Sequence, residues 1–302
     1  MKKIILLIGL FCVVMTVAQN KIYFYFEGGA SESYDLSGVD SISFVSPSSL
    51  IWKDGKLPGK FSVSATKQVQ FSQGNLQYQA STDTWRFAEN QYDALGEEAN
   101  EQISATNTGW IDLFGWGTSG YDGKYPYMIK DSNSHYGDGE NDIAGTKYDW
   151  GVYNKISNGG NVAGKWRTLT KSEWEYIFNG RTNAKQLRSL AKVCGVNGYL
   201  LLPDGFECPN GIKFTPVSNY YTTNNYSEYQ WRSIEAAGAV FLPCAGARDG
   251  FKHVKEVGIS GFYWSSSANG SYNTYRVYVS QTYAGVGSVS RYDGRSVRLA
   301  TE

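Results

Sequence analysis

Chemistry in a protein needs ionisable or nucleophilic groups that can converge, and few in this chain are placed to do so. The two histidines, His135 and His253, fall in separate loop stretches, with no partner at metal-ligand or triad spacing. Of the four cysteines, Cys12 lies in the apolar amino-terminal run, leaving Cys194, Cys208 and Cys244. An odd number cannot pair completely, a buried free thiol is expected for at least one, and no neighbour marks any as an activated thiolate. No Gly-rich loop leads from a strand into a helix as a phosphate cradle does. Asp138, Glu140 and Asp142 alternate, a spacing that suits calcium oxygen ligands, but the terminal bidentate Glu of a full calcium loop is absent. A solvated acidic loop is the expectation there. Glu173 stands three residues after Thr170, the capping-box spacing, and so reads as a helix cap before a general acid. The sequence therefore predicts no catalytic residue, no metal and no cofactor.

Binding chemistry is better represented, in the stretch from Gly261 to Leu299. Tyr263–Trp264 and Val297–Leu299 read as short buried strands. Between them Tyr275–Ser280 alternates, with Val277 and Val279 on one face and Arg276, Tyr278 and Ser280 on the other. Tyr offers contact area at little entropic cost, while Ser, Gly and Asn offer adaptable hydrogen bonds. The candidate ligand-binding residues are Tyr272, Asn273, Arg276, Tyr278, Ser280, Tyr283 and Ser288. An ordinary Tyr-rich antiparallel sheet is the competing reading of the same residues.

Those side chains need a scaffold, and the chain supplies one in short elements. Lys21–Phe26, Tyr34–Leu36 and Val39–Phe44 read as a hairpin and third strand turning at Gly28-Gly29. Residues 47–60, with Pro47, Pro58 and Gly59, read as a linker. Val69–Phe71, Leu76–Gln79 and Trp85–Phe87 follow as strands. Gly109 to Gly117 carries Trp110 and Trp116 and reads as a loop packed on a core, a sugar-stacking platform being the other reading. Thr170 opens a helix with Trp174, Ile177 and Phe178 on one face, ended by Asn179-Gly180. Val193–Leu202 turns at Gly195, and a second helix over residues 227–237 places Trp231, Ile234 and Glu235 by its period. Ala239–Pro243 reads as a buried strand.

Composition narrows the setting. Lys2 and Lys3, the apolar run Ile4–Val17 and Thr16-Val17-Ala18 resemble a signal peptide over residues 1–18, too short to remain as a span. There is no lipid-attachment box, and the expected location is the periplasm, cell surface or exterior. The chain has 28 basic and 28 acidic side chains; losing the two leader lysines leaves a small acidic excess. That argues against nucleic acid and against an anionic membrane surface. The remaining organisation is a small β-hairpin module at 19–46, the linker at 47–60 and one domain at 61–302, long enough for its own core.

Trp166-Arg167-Thr168-Leu169-Thr170, with Glu173, Trp174 and Glu175, resembles the helix entry of formylglycine-generating sulfatase-modifying enzymes and their non-catalytic relatives. Phe262–Ser267 and the ending Gly294-x-Ser296-Val297-Arg298 resemble the closing signature of the fibrobacter-type major paralogous domain. The resemblance covers residues 61 to the end. It implies an α+β, C-type-lectin-like fold with a twisted antiparallel sheet, two helices and long loops. A narrower likeness is to variable receptors of diversity-generating retroelements, whose adenine-randomised tract precedes the same kind of ending, here Arg291–Arg298. Randomised Asn codons cannot yield Lys, Glu, Gln, Met or Trp, and between Ser267 and Tyr292 only Gln281 is of those types. The amino-terminal module, with its Asp40–Phe44 run, is similar to one in exported proteins of gut bacteria. The function implied is non-catalytic ligand binding or adhesion, toward a protein or glycan on a cell or phage surface. Two alternatives are a formylglycine-generating oxidase, whose cysteine pair would fall where this chain has Ser, Gly and Asn, and a structural fimbrial component.

Overall fold

The computed structural model describes residues 21–25, 31–35, 52–128, 136–137, 139–250 and 252–302. The chain divides into two units, Met1–Ser46 and Pro47–Glu302. In the first, β1 (Lys21–Tyr25) runs antiparallel to β2 (Ser31–Asp35), with Lys21 opposite Asp35 and Tyr25 opposite Ser31. The leader at 1–18 and the strand expected at Val39–Phe44 lie outside the described residues.

The second unit is mixed α+β: mostly strands, few helices, and several small sheets with largely antiparallel pairing. One sheet joins the two ends of its sequence, in the order β3 (Phe61–Ser62), β4 (Gln68–Phe71), β18 (Leu299–Thr301), β8 (Arg167–Thr168). The last strand is thus an inner one, with Ala300 opposite both Phe71 and Arg167. Val297 is buried just ahead of that strand rather than in it. A second sheet has the order β11 (Asn225–Tyr226), β9 (Arg188–Val193), β10 (Val196–Leu201), β12 (Val240–Pro243). Its β9–β10 hairpin turns through Cys194 and Gly195, at φ 49° and 86°. Two consecutive left-handed residues match the right-handed twist of the flanking strands. A third sheet sets β5 (Leu76–Gln79) between β6 (Thr84–Phe87) and β7 (Trp110–Ile111), and β13 (Ala247–Arg248) pairs with β14 (Val254–Lys255).

The helices are short: α1 (Gly96–Glu101), α2 (Trp150–Tyr153), α3 (Lys171–Glu175) and α4 (Glu228–Ala236). Short helices depend on their caps and their buried faces. Thr170 and Glu173 form the expected capping box on α3, which continues as a π turn over Tyr176–Gly180. Both oxygens of Glu173 also accept from Arg167, at 2.8 and 2.7 Å, so the same carboxylate ties β8 to the helix. Ser227 and Gln230 make a second capping box on α4. Trp174, Ile177 and Phe178 are fully buried, as are Trp231 and, to within 2 %, Ile234 and Glu235.

Six tryptophans (116, 150, 166, 174, 231 and 264) lose essentially all exposure. Each removes roughly 150–250 Å² from water, worth about 4–6 kcal/mol before ordering costs. That burial takes the place of covalent staples, since Cys194, Cys208 and Cys244 are all free. Trp116 belongs to this core, its indole N–H donating to the Ser265 carbonyl at 2.7 Å. Trp110 is half-buried beneath Arg86, 3.9 Å from the ring centre. The Gly109–Gly117 run is therefore packed on the core, starting as β7, and does not present Trp110 and Trp116 together as an open sugar-stacking platform.

The linker expectation needs correction over residues 52–60. Leu57 is fully buried, and its N–H donates to the Phe71 carbonyl at 3.0 Å. Gly59 abuts Gly238 so closely that a Cβ would lie 2.1 Å from that residue's carbonyl oxygen. Pro and Gly here shape a tight strap on the core instead of a spacer.

Candidate ligand-binding site

The site is built on an antiparallel sheet in the order β15 (Gly261–Asn269), β16 (Asn273–Val279), β17 (Ala284–Ser290). Phe262 faces Tyr278, which faces Gly285; Trp264 faces Arg276, which faces Gly287; Tyr263 faces Val277, which faces Val286. Period 2 then sends Tyr263, Val277 and Val279 to one side and Phe262, Trp264, Arg276 and Tyr278 to the other. Val277 and Val279 are fully buried, packed with Trp174, Ile177 and Phe178 in the largest core cluster. The register slips between Trp264 and Ala268. There the Ser265 hydroxyl donates to the Tyr275 carbonyl at 2.9 Å, and the Ser266 N–H donates to the Leu169 carbonyl at 2.9 Å. The Ser-Ser-Ser run thus holds a buried irregular strand and displays nothing.

The outer side is an aromatic and guanidinium stack. The rings of Phe262 and Tyr278 lie parallel within 3°, their centres 5.0 Å apart, and Tyr283 stacks on Tyr278 at 5.7 Å. The Arg276 guanidinium sits 5.1 Å from the Phe262 centre and 4.9 Å from that of Tyr278. Arg295 approaches Phe262 at 4.7 Å and Trp264 at 5.4 Å. Gly285 and Gly287, opposite Tyr278 and Arg276, add no side chain to this crowded side.

The seven candidate residues do not form one face. Arg276, Tyr278 and Tyr283 gather on the outer side, the first two half-buried and the third 47 % exposed. Asn273 and Ser288 lie on the opposite side, at its solvent end near Tyr275. There Asn269 donates to Ser288 Oγ at 2.7 Å and the Tyr275 hydroxyl donates to Asn269 Oδ1 at 3.2 Å. Tyr272 projects from the turn between β15 and β16 and is 62 % exposed. Ser280 is a correction, since it was expected to point outward and is only 8 % exposed. The strand ends at Val279, and the Ser280 N–H donates to the Tyr283 carbonyl at 2.8 Å, folding the chain back over it.

Several residues of the outer side went unread in the sequence. A cavity of about 250 Å³ beside the stack is lined by Arg248, Lys255, Arg276 and Arg295, with Asp249, Glu256 and Asp293. Arg295 gives Nη2 to Asp293 at 2.8 Å, and Lys255 pairs with Asp249 at 3.0 Å. Burial lowers both Arg248 and Arg295 to about 10, leaving them cationic at neutral pH. The available signal was the ending Arg291–Arg298, whose three arginines are all at least 95 % covered. Arg298 is spent on structure, donating to Asn75 Oδ1 at 3.3 Å, to the Phe241 carbonyl at 3.2 Å and to Gln91. Arg291 likewise donates to the carbonyls of Asn273 and Tyr136, at 3.0 Å each. Arg295 alone of the three lines the cavity.

The acidic loop serves the same sheet. Glu140 accepts from the Ser271 hydroxyl at 2.6 Å and Asp142 from the Ala268 N–H at 2.7 Å. Asp138 and His135 lie outside the described residues. Among the described residues no cluster of His, Cys, Asp and Glu could hold a metal. Burial pushes the Cys244 thiol up to about 11 and also raises Cys194 and Cys208, the reverse of activation. No described helix is long and apolar enough to cross a membrane. A scan against family models and searches of curated proteins and of solved structures find no match to this chain.

Proposed function

We propose that the chain is an exported, non-catalytic ligand-binding or adhesion protein, and that it binds through the outer side of β15–β17. The observation that carries this reading is the half-open stack of Phe262, Arg276, Tyr278 and Tyr283, on a sheet backed by core at Val277 and Val279. Tyr and Arg are the residue types that anchor interfaces, and a sheet fixed from behind presents them at low ordering cost. The α+β architecture and two capped helices are compatible with the C-type-lectin-like fold proposed for residues 61–302. Against a formylglycine-generating oxidase stands the absence of a cysteine from the β15–β17 stretch, with Cys208 and Cys244 raised rather than activated.

The test is binding of fluorescent chain to an array of surface proteins and glycans. Saturable binding lost in Tyr278→Ala/Tyr283→Ala, with thermal melting still cooperative, is expected. Turnover of a sulfatase-derived Cys peptide with copper, or binding untouched by that double variant, would contradict it.

A further inference from the structure

The cavity beside the stack has an unusual charge economy. Three arginines and Lys255 line it against three carboxylates, and two of those carboxylates are already engaged, Asp293 by Arg295 and Asp249 by Lys255. Among the described residues Arg276 has neither a hydrogen bond nor an ion pair; its guanidinium lies against the rings of Phe262 and Tyr278. Glu256 lines the same wall and offsets part of this positive charge. Arg248 is 2 % exposed, gives Nη2 to the Leu113 carbonyl at 3.1 Å, and leaves Nη1 without a partner. The Nε atoms of Arg276 and Arg295 are also buried without partners. Buried guanidinium N–H groups are costly unless an acceptor satisfies them, and a planar carboxylate is the acceptor that matches their fork.

A second hollow adjoins the first. It measures about 400 Å³, shares Glu256 with it, and has Tyr278, stacked on Phe262, as a further wall. Its polar lining is mostly amide and hydroxyl (Asn197, Ser260, Gln281 and Thr282, besides Ser280 and Tyr221), with exposed Ile259 as an apolar part of the wall. The buried Ser280, misplaced as an outward contact, is thus at the rim of this hollow. Groups of that kind suit a ligand rich in hydroxyls.

We propose that the paired hollows bind an acidic sugar, its carboxylate among Arg248, Arg276 and Arg295 and its hydroxyls on the amide- and hydroxyl-lined side. The inference rests on the ligand-binding reading above and narrows it to one ligand class. An acidic peptide would satisfy the arginines but leave the second hollow unused.

The experiment is calorimetric titration of the full chain with glucuronate and with N-acetylneuraminate, each against glucose, and with triglutamate. At least one acidic sugar should bind where glucose does not. Arg276→Gln should weaken it about ten- to a hundredfold, the worth of one charge-assisted hydrogen bond, and Thr282→Val should weaken it less while sparing triglutamate. Should Arg276→Gln fail to fold, the comparison of acidic sugars with glucose on unaltered protein still decides. Acidic sugars binding no better than glucose, or triglutamate binding more tightly than both, would overturn the proposal. Array binding that persists and still depends on Tyr278 and Tyr283 would then leave the broader reading standing; loss of both would end it as well.

Discussion

The two sides of the β15–β17 sheet are made of one strand set and have opposite fates. Toward the Val279 end of β16 the odd positions, Val277 and Val279, carry no polar atom and vanish into the core with Trp174 and Phe178, while Asn273 and Tyr275 reach solvent at the other end. Even positions, Arg276 and Tyr278, carry charge and hydroxyl on apolar stems, and stop half-buried beside a cavity. The contrast extends to the arginines of the ending. Arg298 gives both Nη groups to acceptors from Asn75, Gln91 and Phe241 and leaves only Nε unpaired, whereas Arg295 gives one group to Asp293, also leaves Nε unpaired, and otherwise stacks on Phe262 and Trp264. A buried cation with a ring of carbonyl and amide acceptors is a staple. One left with rings and a hollow is the kind the proposed site would use.

That contrast can be broken from the structural side first. Arg298→Met would leave Asn75 Oδ1 without its donor and take one donor each from Gln91 and the Phe241 carbonyl; at about 1–3 kcal/mol for each buried acceptor left unsatisfied, it should read as a large fall in urea midpoint. A melt close to that of the unaltered chain would remove Arg298 from the structural class. Next, Val277→Ala with Val279→Ala should cost about 2–5 kcal/mol together; normal folding of that variant would mean the register is one residue out. Thr170→Ala should cost about 1 kcal/mol through the lost cap, with array binding retained. If melting is unchanged and binding disappears, the capping assignment is reversed. Smallest of all, Asn273→Ala with Ser288→Ala should shift stability by no more than about 0.5 kcal/mol. A labelling experiment sharpens the picture of the core: alkylation at pH 8 should modify exposed Cys208 first, and Cys244 only after unfolding. Early loss of Cys244 would show that the core around it opens in the folded protein.

How much of this was legible depended on whether the signal was local. The capping box at Thr170, the Cys194–Gly195 turn and the Val277/Val279 alternation each arise within a few residues, and the chain folds there as its sequence reads. Pro58-Gly59 misled because the same residues that loosen a linker also allow the close Gly59–Gly238 contact, which is set by distant sequence. Ser280 misled because period 2 was carried one residue past the end of β16. The cavity was unreadable for a different reason. It unites Arg248, Arg276 and Arg295 from three separated stretches, and nothing in the spacing of three arginines says which will meet carbonyls and which will meet rings.

The central claim is that ligand recognition belongs to the Arg276 side of the sheet and not to the Asn273 side. The direct measurement is array binding of two double variants in parallel, Arg276→Gln/Tyr278→Ala and Asn273→Ala/Ser288→Ala, each checked for cooperative melting. Loss of binding in the first with retention in the second is the predicted result. Retention in the first and loss in the second would contradict it, and would move the site to the Tyr275 end of the opposite side.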